Sequence, residues 1–339
     1  MPALLILMFF ACIDIIDLKT QEKEEVLIIE GFIYNDRDES SVSIKKSAAF
    51  VAGPDGVELP VSGATVTISE IGGPSVTLTE STPGVYTSDQ LKGQVGKGYQ
   101  LRVETGGNTY ESLVEQMPAV IPATRLSWAR RDESIRNSAG NVATKSIIIL
   151  KSDALLPDLS DGSFLRFRVE GIYEYRERAS ASNLNDQTCY VPEVIDFNNL
   201  ALVDGRLVNN GELVDQPVLE RTIDFKFAYN YCFSVVTQSI TRNAFNFWVS
   251  IQNEFERTGD IFEAPPAKIK GNIVNTNGTE NDVIGLFSAI SNDTSKLLVS
   301  GIELNNPRIP CRSFGAVPDA CFDCLIIEKS SLVRPECFD

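Results

Sequence analysis

Histidine is missing from all 339 residues. That absence removes Ser–His and Cys–His triads, His-ligated zinc and imidazole acid–base catalysis, the commonest hydrolytic machinery. Positive charge is scarce as well, with 30 Lys and Arg against 46 Asp and Glu and a formal net charge of −16. Phosphate backbones and anionic headgroups repel such a chain, which argues against nucleic-acid binding and against membrane attachment through a basic patch. No GxxxxGK[ST] or GxGxxG element opens a helix after a strand, so a nucleotide site has no support. The glycines of GQVGKG, residues 93–98, sit in turn-like sequence where they supply positive φ. Carboxylates are plentiful, so a glycoside-hydrolase pair is not excluded, but no local pattern marks one.

Long apolar runs are also lacking. The first, Leu4 to Phe10, is far short of the roughly 20 residues that cross a bilayer as a helix. Its length suits the apolar region of a secretory signal. Ala11 then precedes Cys12, and Asp14 and Asp17 follow. This order resembles a bacterial lipoprotein signal, in which the cysteine is acylated and becomes the mature first residue. The alternative is a short buried strand; the charged stretch behind it favours the signal. Residues 1–12 are therefore read as the signal and 13–25 as a polar tether. The lipid at Cys12 is expected to hold the body at a membrane.

Six cysteines remain: Cys189, Cys232, Cys311, Cys321, Cys324 and Cys337. An even number in an exported chain reads as disulfides of open connectivity. A four-thiolate zinc site on CFDC (Cys321 to Cys324) with Cys311 and Cys337 is the rival, although it has a single CxxC knuckle.

What fills the chain is strand pattern. At 43% apolar residues, a chain of this length suits a folded protein of about two domains. From residue 26 to 116, short alternating runs are separated by Gly- and Pro-rich turns. Ala64, Val66 and Ile68 oppose Thr65 and Thr67, and Tyr99, Leu101 and Val103 oppose Gln100 and Arg102. This predicts a small β-sandwich. MPAVIPA, residues 117–123, is read as a linker, because its prolines cannot donate ladder hydrogen bonds.

Residues 124–339 read as a larger β-rich domain with a cysteine-stapled tail. Leu165, Phe167 and Val169 share a strand face, and Gly171 interrupts the alternation and suggests a bulge. IDFKFAYNYCFSV is read as one strand with Ile223, Phe225, Phe227, Tyr229, Tyr231, Phe233 and Val235 on a core face and Cys232 on the other. Such an aromatic row could instead bind sugar rings. VIGLFSAIS and KLLVSGIEL read as two further strands. One helix is expected from Thr241, its N-cap, to a stop at Gly259, with Ala244, Phe247, Trp248, Ile251 and Phe255 along one stripe. The fold class is thus mainly β: a sandwich, then a larger β-rich domain carrying one amphipathic helix.

Asn35, Asp36, Asp38 and Glu39 crowd oxygen ligands into one loop and form a weak calcium candidate, against the plainer reading of a solvated acidic loop. No other cofactor is expected.

Several stretches then combine into a resemblance. VSGATVTI (Val61 to Ile68), PGVY (Pro83 to Tyr86) and GKGYQLRVETGGNTYES (Gly96 to Ser112) resemble the Ig-like sandwich of carboxypeptidase-regulatory-like domains. With CIDIIDL before them, and Cys189-Tyr190, SITRNAFNFW, FEAPPAKIKGNI and VIGLFSA after, the order resembles a family of Bacteroidota lipoproteins of unknown function. Members are usually encoded beside SusC-type TonB-dependent receptors. The resemblance implies a non-enzymatic outer-membrane lipoprotein that assists such a β-barrel receptor, with no catalytic residues to carry over. A surface glycan- or peptide-binding protein and a carboxylate-based glycoside hydrolase are the alternatives.

Overall fold

The computed structural model describes residues 26–47, 59–136, 140–157, 162–178, 187–193, 195, 200–257, 269–278, 283–306, 309–312 and 317–339. The molecule is mainly β with one α-helix.

The first half contains β1 (Leu27–Tyr34), β2 (Ser40–Lys46), β3 (Leu59–Pro60), β4 (Thr65–Glu70), β5 (Ser75–Thr82), β6 (Val85–Ser88), β7 (Gly98–Thr105), β8 (Asn108–Ser112) and β9 (Glu115–Gln116). Strand β5 changes partner midway: Leu78 faces Val66 of β4, whereas Thr79 faces Thr87 of β6. It thereby crosses from the β1–β2–β6 layer to the β4–β7–β8 layer. Alternate residues of both layers (Ile29, Ile33, Val42, Ile44, Val66, Ile68, Leu101 and Val103) are buried between them. Two tyrosines deep in this core have satisfied hydroxyls, as buried phenols require. Tyr86 Oη accepts from Ala64 N and donates to Val61 O, both at 2.9 Å, and Tyr99 Oη accepts from Gln94 N at 2.8 Å.

The second half contains β10 (Ala123–Arg136), β11 (Val142–Leu155), β12 (Phe164–Arg176), β13 (Thr188–Glu193), β14 (Ala201–Asp204), β15 (Glu212–Thr222), β16 (Asn230–Ile240), helix α1 (Arg242–Phe255), β17 (Ile273–Asn275) and β18 (Val283–Ser300). Strands β10, β11 and β15 form a separate three-stranded antiparallel sheet. It packs on β12 and β16, enclosing Ile148, Leu150, Leu165, Phe167, Leu219, Tyr231, Phe233 and Val235.

The two halves are not independent. Residues Val283–Ile290 of β18 run parallel to all of β1, and Ser291–Ser300 run antiparallel to β16. VIGLFSAIS and the KLLVS of KLLVSGIEL are therefore one strand shared by both halves, rather than two strands, and GIEL is a turn after it. β17 adds a further strand to the first half by pairing with β8. The boundary read at 117–123 thus does not close the sandwich, because its last two strands come from the segment assigned to the second domain. The linker itself is fastened to β18: Ser291 Oγ donates to Pro118 O at 2.6 Å, and Met117 and Ile121 are buried.

Helix α1 lies on the outer face of the shared sheet. Thr241 caps it, its Oγ1 accepting from Ala244 N at 3.3 Å. Ala244, Phe245 and Phe247 are buried against Phe164, Ile240, Leu286 and Ile290. Phe255, expected on this stripe, is 64% exposed. Phe245, outside the stripe, instead packs its ring 5.0 Å from that of Phe164. The expected stop at Gly259 lies outside the described residues.

Candidate functional site

Cys12, the expected lipidation residue, lies outside the described residues. The other six cysteines form three disulfides: Cys189–Cys324, Cys232–Cys337 and Cys311–Cys321, with Cα separations of 6.0, 6.1 and 5.4 Å. The zinc alternative fails, because Cys324 and Cys337 are bridged to different, distant strands rather than gathered at one point. The bridges pin the tail to β13 and β16. Backbone bonds between Tyr190 and Ser331 at 2.8 and 3.0 Å extend the attachment.

The calcium candidates do not converge. Asn35 Oδ1 accepts from Asn292 N at 2.7 Å, and both Asp36 oxygens accept from Asn292 Nδ2 at 3.1 Å. Asp38 and Glu39 are exposed. Asn35 and Asp36 therefore hold β18 where it changes partner. Among the described residues, no group of three or more His, Cys, Asp or Glu side chains is placed to hold a metal ion.

The aromatic row is interrupted. Phe225–Phe227 form a single 3-10 turn capped by Asp224, whose carboxylate accepts from Lys226 N at 2.9 Å, and β16 starts only at Asn230. Phe225 is consequently exposed. Phe227, Tyr231 and Phe233 are wholly buried, with the Tyr231 ring 4.5 Å from each of the other two. This is a core stack and not a sugar platform. Gly171 pairs in regular register with Phe233 and Glu193, so no bulge stands there.

Above the stack, Glu193 accepts from Arg221 at 2.8 and 3.1 Å, from Tyr231 Oη at 2.7 Å and from Lys226. Burial pushes its carboxyl up, but these donors outweigh burial and hold it below the usual range. Burial pushes the Tyr231 phenol far up, and that of Tyr173 to about 12. At neutral pH these groups keep fixed protonation states and act as a structural clamp.

Glu115 forms a second clamp, between the halves. It accepts from Asn243 Nδ2 at 2.9 Å, from Asn272 Nδ2 at 2.8 Å and from Thr241 Oγ1. Asn272 in turn mimics a strand: Nδ2 donates to Phe287 O at 2.7 Å and Oδ1 accepts from Phe287 N at 2.8 Å. One carboxylate thus ties β9, the start of α1 and β18 together. It lines a cleft of about 480 Å³ with Met117, Phe164 and Arg242.

A different cleft, of about 580 Å³, lies at the free end of the three-stranded sheet. β15 ends at Thr222, opposite Ile147, whereas β11 starts five residues earlier at Val142. Ser146 O accepts the last cross-strand bond, from Ile223 N at 2.8 Å. Strand alternation then turns the N–H and C=O of Thr144 and Val142 to the same flank as those of Ser146. No partner strand pairs with them there among the described residues. Thr144, Lys145, Ser146, Ile223, Leu304 and Arg130 line the space. Arg130 Nη1 is fastened to Leu304 O. The charged residues that line it are Arg130 and Lys145, and Arg130 is paired with Asp132 at 3.0 Å. The place accepts an extended segment in line with β15, held by main-chain hydrogen bonds. Nothing in the strand pattern of the sequence singled out this flank. The available signal was the polar stretch ahead of Ile147 and the Asp224-capped turn that ends β15.

A family model described as Domain of unknown function (DUF4249) matches residues 13–296. No curated protein matches the chain.

Proposed function

The chain belongs to this family of unknown function, and on that premise we propose that it is a non-enzymatic binding subunit anchored at an outer membrane. It docks an extended segment of a SusC-type TonB-dependent receptor beside β11. The observation that carries this reading is the flank of Val142 and Thr144, without a partner strand among the described residues, next to a cleft lined by Arg130 and Lys145. Strand addition at such a flank derives affinity from backbone hydrogen bonds and selectivity from alternate side chains.

Three disulfides suit an oxidising compartment outside the cytoplasm. They account for six of the seven cysteines and leave Cys12 for acylation. An acyl chain confines the protein near its partner and raises effective concentration without a large interface. The receptor class and the Bacteroidota setting rest on the ordered motifs from CIDIIDL to VIGLFSA.

The test is gentle detergent extraction of the tagged full-length protein, with identification of what co-purifies. The wild type is expected to bring down a β-barrel receptor. Thr144→Pro, which removes the N–H facing the cleft and leaves the β10 side of the hairpin paired, is expected to lose that receptor at unchanged circular dichroism. Cys12→Ala is expected to leave the membrane fraction. Recovery of no barrel, or equal recovery with Thr144→Pro, overturns the reading.

A further inference from the structure

The strand docked beside β11 in the function proposed above has its register set by β15. Ile223 N donates to Ser146 O, so Ile223 stands across from Ser146. A segment that continues β15 runs antiparallel to β11. Its first residue stands across from Thr144, its second across from Ala143 and its third across from Val142. Main-chain bonds form at the first and third positions, because Thr144 and Val142 turn their N–H and C=O to this flank. The middle residue turns its own N–H away from β11.

Strand alternation also sorts the side chains. Ile148 and Leu150 face the core, so Thr144 and Val142 turn to that face and Ala143 and Lys145 to the other. The first docked side chain therefore enters beside Ile223 and Leu304, which line the cleft and are buried. The third lies across from Val142, which is 70% exposed. Both positions suit β-branched apolar residues. The middle side chain falls on the outer face, across from Ala143 and diagonal to Lys145. Lys145 is half-buried and has no ion pair among the described residues. The acids around it are engaged. Glu133, across from it on β10, pairs with Arg131 at 3.0 Å, and the Asp224 carboxylate accepts from Lys226 N at 2.9 Å. A strand laid beside Lys145 removes water from its ammonium, a cost that a carboxylate on that strand offsets. The small side chain of Ala143 leaves the diagonal reach from the middle position to Lys145 open.

We propose that the segment recognised beside β11 is an extended apolar–acidic–apolar tripeptide whose acidic side chain pairs with Lys145. This rests on the strand addition proposed above and names the chemistry of the partner there. On the receptor it asks for an exposed strand or terminus that carries the three residues in sequence.

The test titrates the full chain into a fluorescein-labelled peptide, acetyl-Thr-Val-Glu-Val-Thr-amide, and reads fluorescence anisotropy. The peptide is expected to bind saturably, and its Val-Lys-Val counterpart about fivefold more weakly at low salt. Lys145→Glu should reverse that order. Methylation of either valine nitrogen should abolish binding, whereas methylation of the glutamate nitrogen, which points away from β11, should leave it intact. No saturable binding of the glutamate peptide, equal affinity for the lysine peptide, or an unchanged order in Lys145→Glu overturns the proposal. Binding that survives methylation of the valines overturns it too, since the bonds would not be those of a strand. Concentration-dependent self-association of the chain, lost in Thr144→Pro, would make a second copy the occupant and also overturn it. The docking reading is judged separately, by recovery of the barrel with Thr144→Pro, so the tripeptide rule can fail while strand addition stands.

Discussion

The ring of Tyr231 passes over Gly171: its Cζ and Cε1 lie 2.6 and 2.8 Å from where a Cβ on residue 171 would stand, and the hydroxyl is closer still. That route brings the hydroxyl to Glu193 at 2.7 Å and to Arg221 at 2.9 Å. The residue that interrupts the alternation of β12 is therefore required by a side chain on the neighbouring strand. Gly171→Ala forces the ring aside and opens the Glu193 clamp, a combined overpacking and hydrogen-bond loss of about 3 kcal/mol. In a Tyr231→Leu background the same change should cost less than about 1 kcal/mol, the coupling that a double-mutant cycle measures by urea unfolding. Equal costs in both backgrounds would show that the two residues act separately.

The long-range bridges should matter more than the short one. Cys189–Cys324 and Cys232–Cys337 span 135 and 105 residues, against 10 for Cys311–Cys321. In the chain-entropy picture, removing either long bridge as a double Ser variant costs about 5 kcal/mol, and removing the short one about 3 kcal/mol. Alkylation of the denatured protein, before and after reduction, should find the six thiols only after reduction. Thiols labelled in unreduced protein would contradict the pairing.

Local patterns made part of this structure legible. The alternation of Tyr99, Leu101 and Val103 and the Thr241 cap of α1 depend on a few neighbouring residues, and both stand where expected. The double pairing of β18 was not legible. A run such as VIGLFSAIS records burial, but Leu27–Tyr34, its parallel partner, lies some 250 positions away and leaves no local mark on it. The aromatic row misled for a different reason. Phe225 and Phe227 continue the alternation, yet Asp224 offers its carboxylate to Lys226 N and diverts the chain into a turn. That turn also ends β15, so the open flank of β11 was hidden by the same oversight.

Glu115 should make stability depend on pH. Burial raises its pKa; the bonds from Thr241, Asn243 and Asn272 lower it but do not cancel that effect. The folded state then binds this proton more tightly than the unfolded chain, whose carboxyl titrates near about 4.3. The contribution is fully present below that value and is lost as pH rises through the raised folded value. Glu115→Gln can keep its partners without ionising. Its melting temperature relative to wild type should rise as pH increases from acid to neutral. A relative fall over that range would mean that the ionised form is the one the site prefers.

The sharing of β18 makes the molecule one cooperative unit, and Gly285 is where this can be tested. A Cβ on Gly285 would press into the backbone of Ile29 in the parallel partner strand, with Ile29 C at 2.8 Å and N at 3.1 Å. Gly271 approaches Gly285 from the other side, so neither neighbour can yield cheaply. Gly285→Ala should therefore cost about 3 kcal/mol or more and act on both halves at once. Both tryptophans lie in the second half, whereas far-ultraviolet circular dichroism senses the strands of both. Urea unfolding followed by the two signals should coincide in the wild type and should shift together in Gly285→Ala. Were the sandwich to unfold independently, fluorescence would stay in place while circular dichroism split into two steps, because the lesion lies against β1 and the reporters do not.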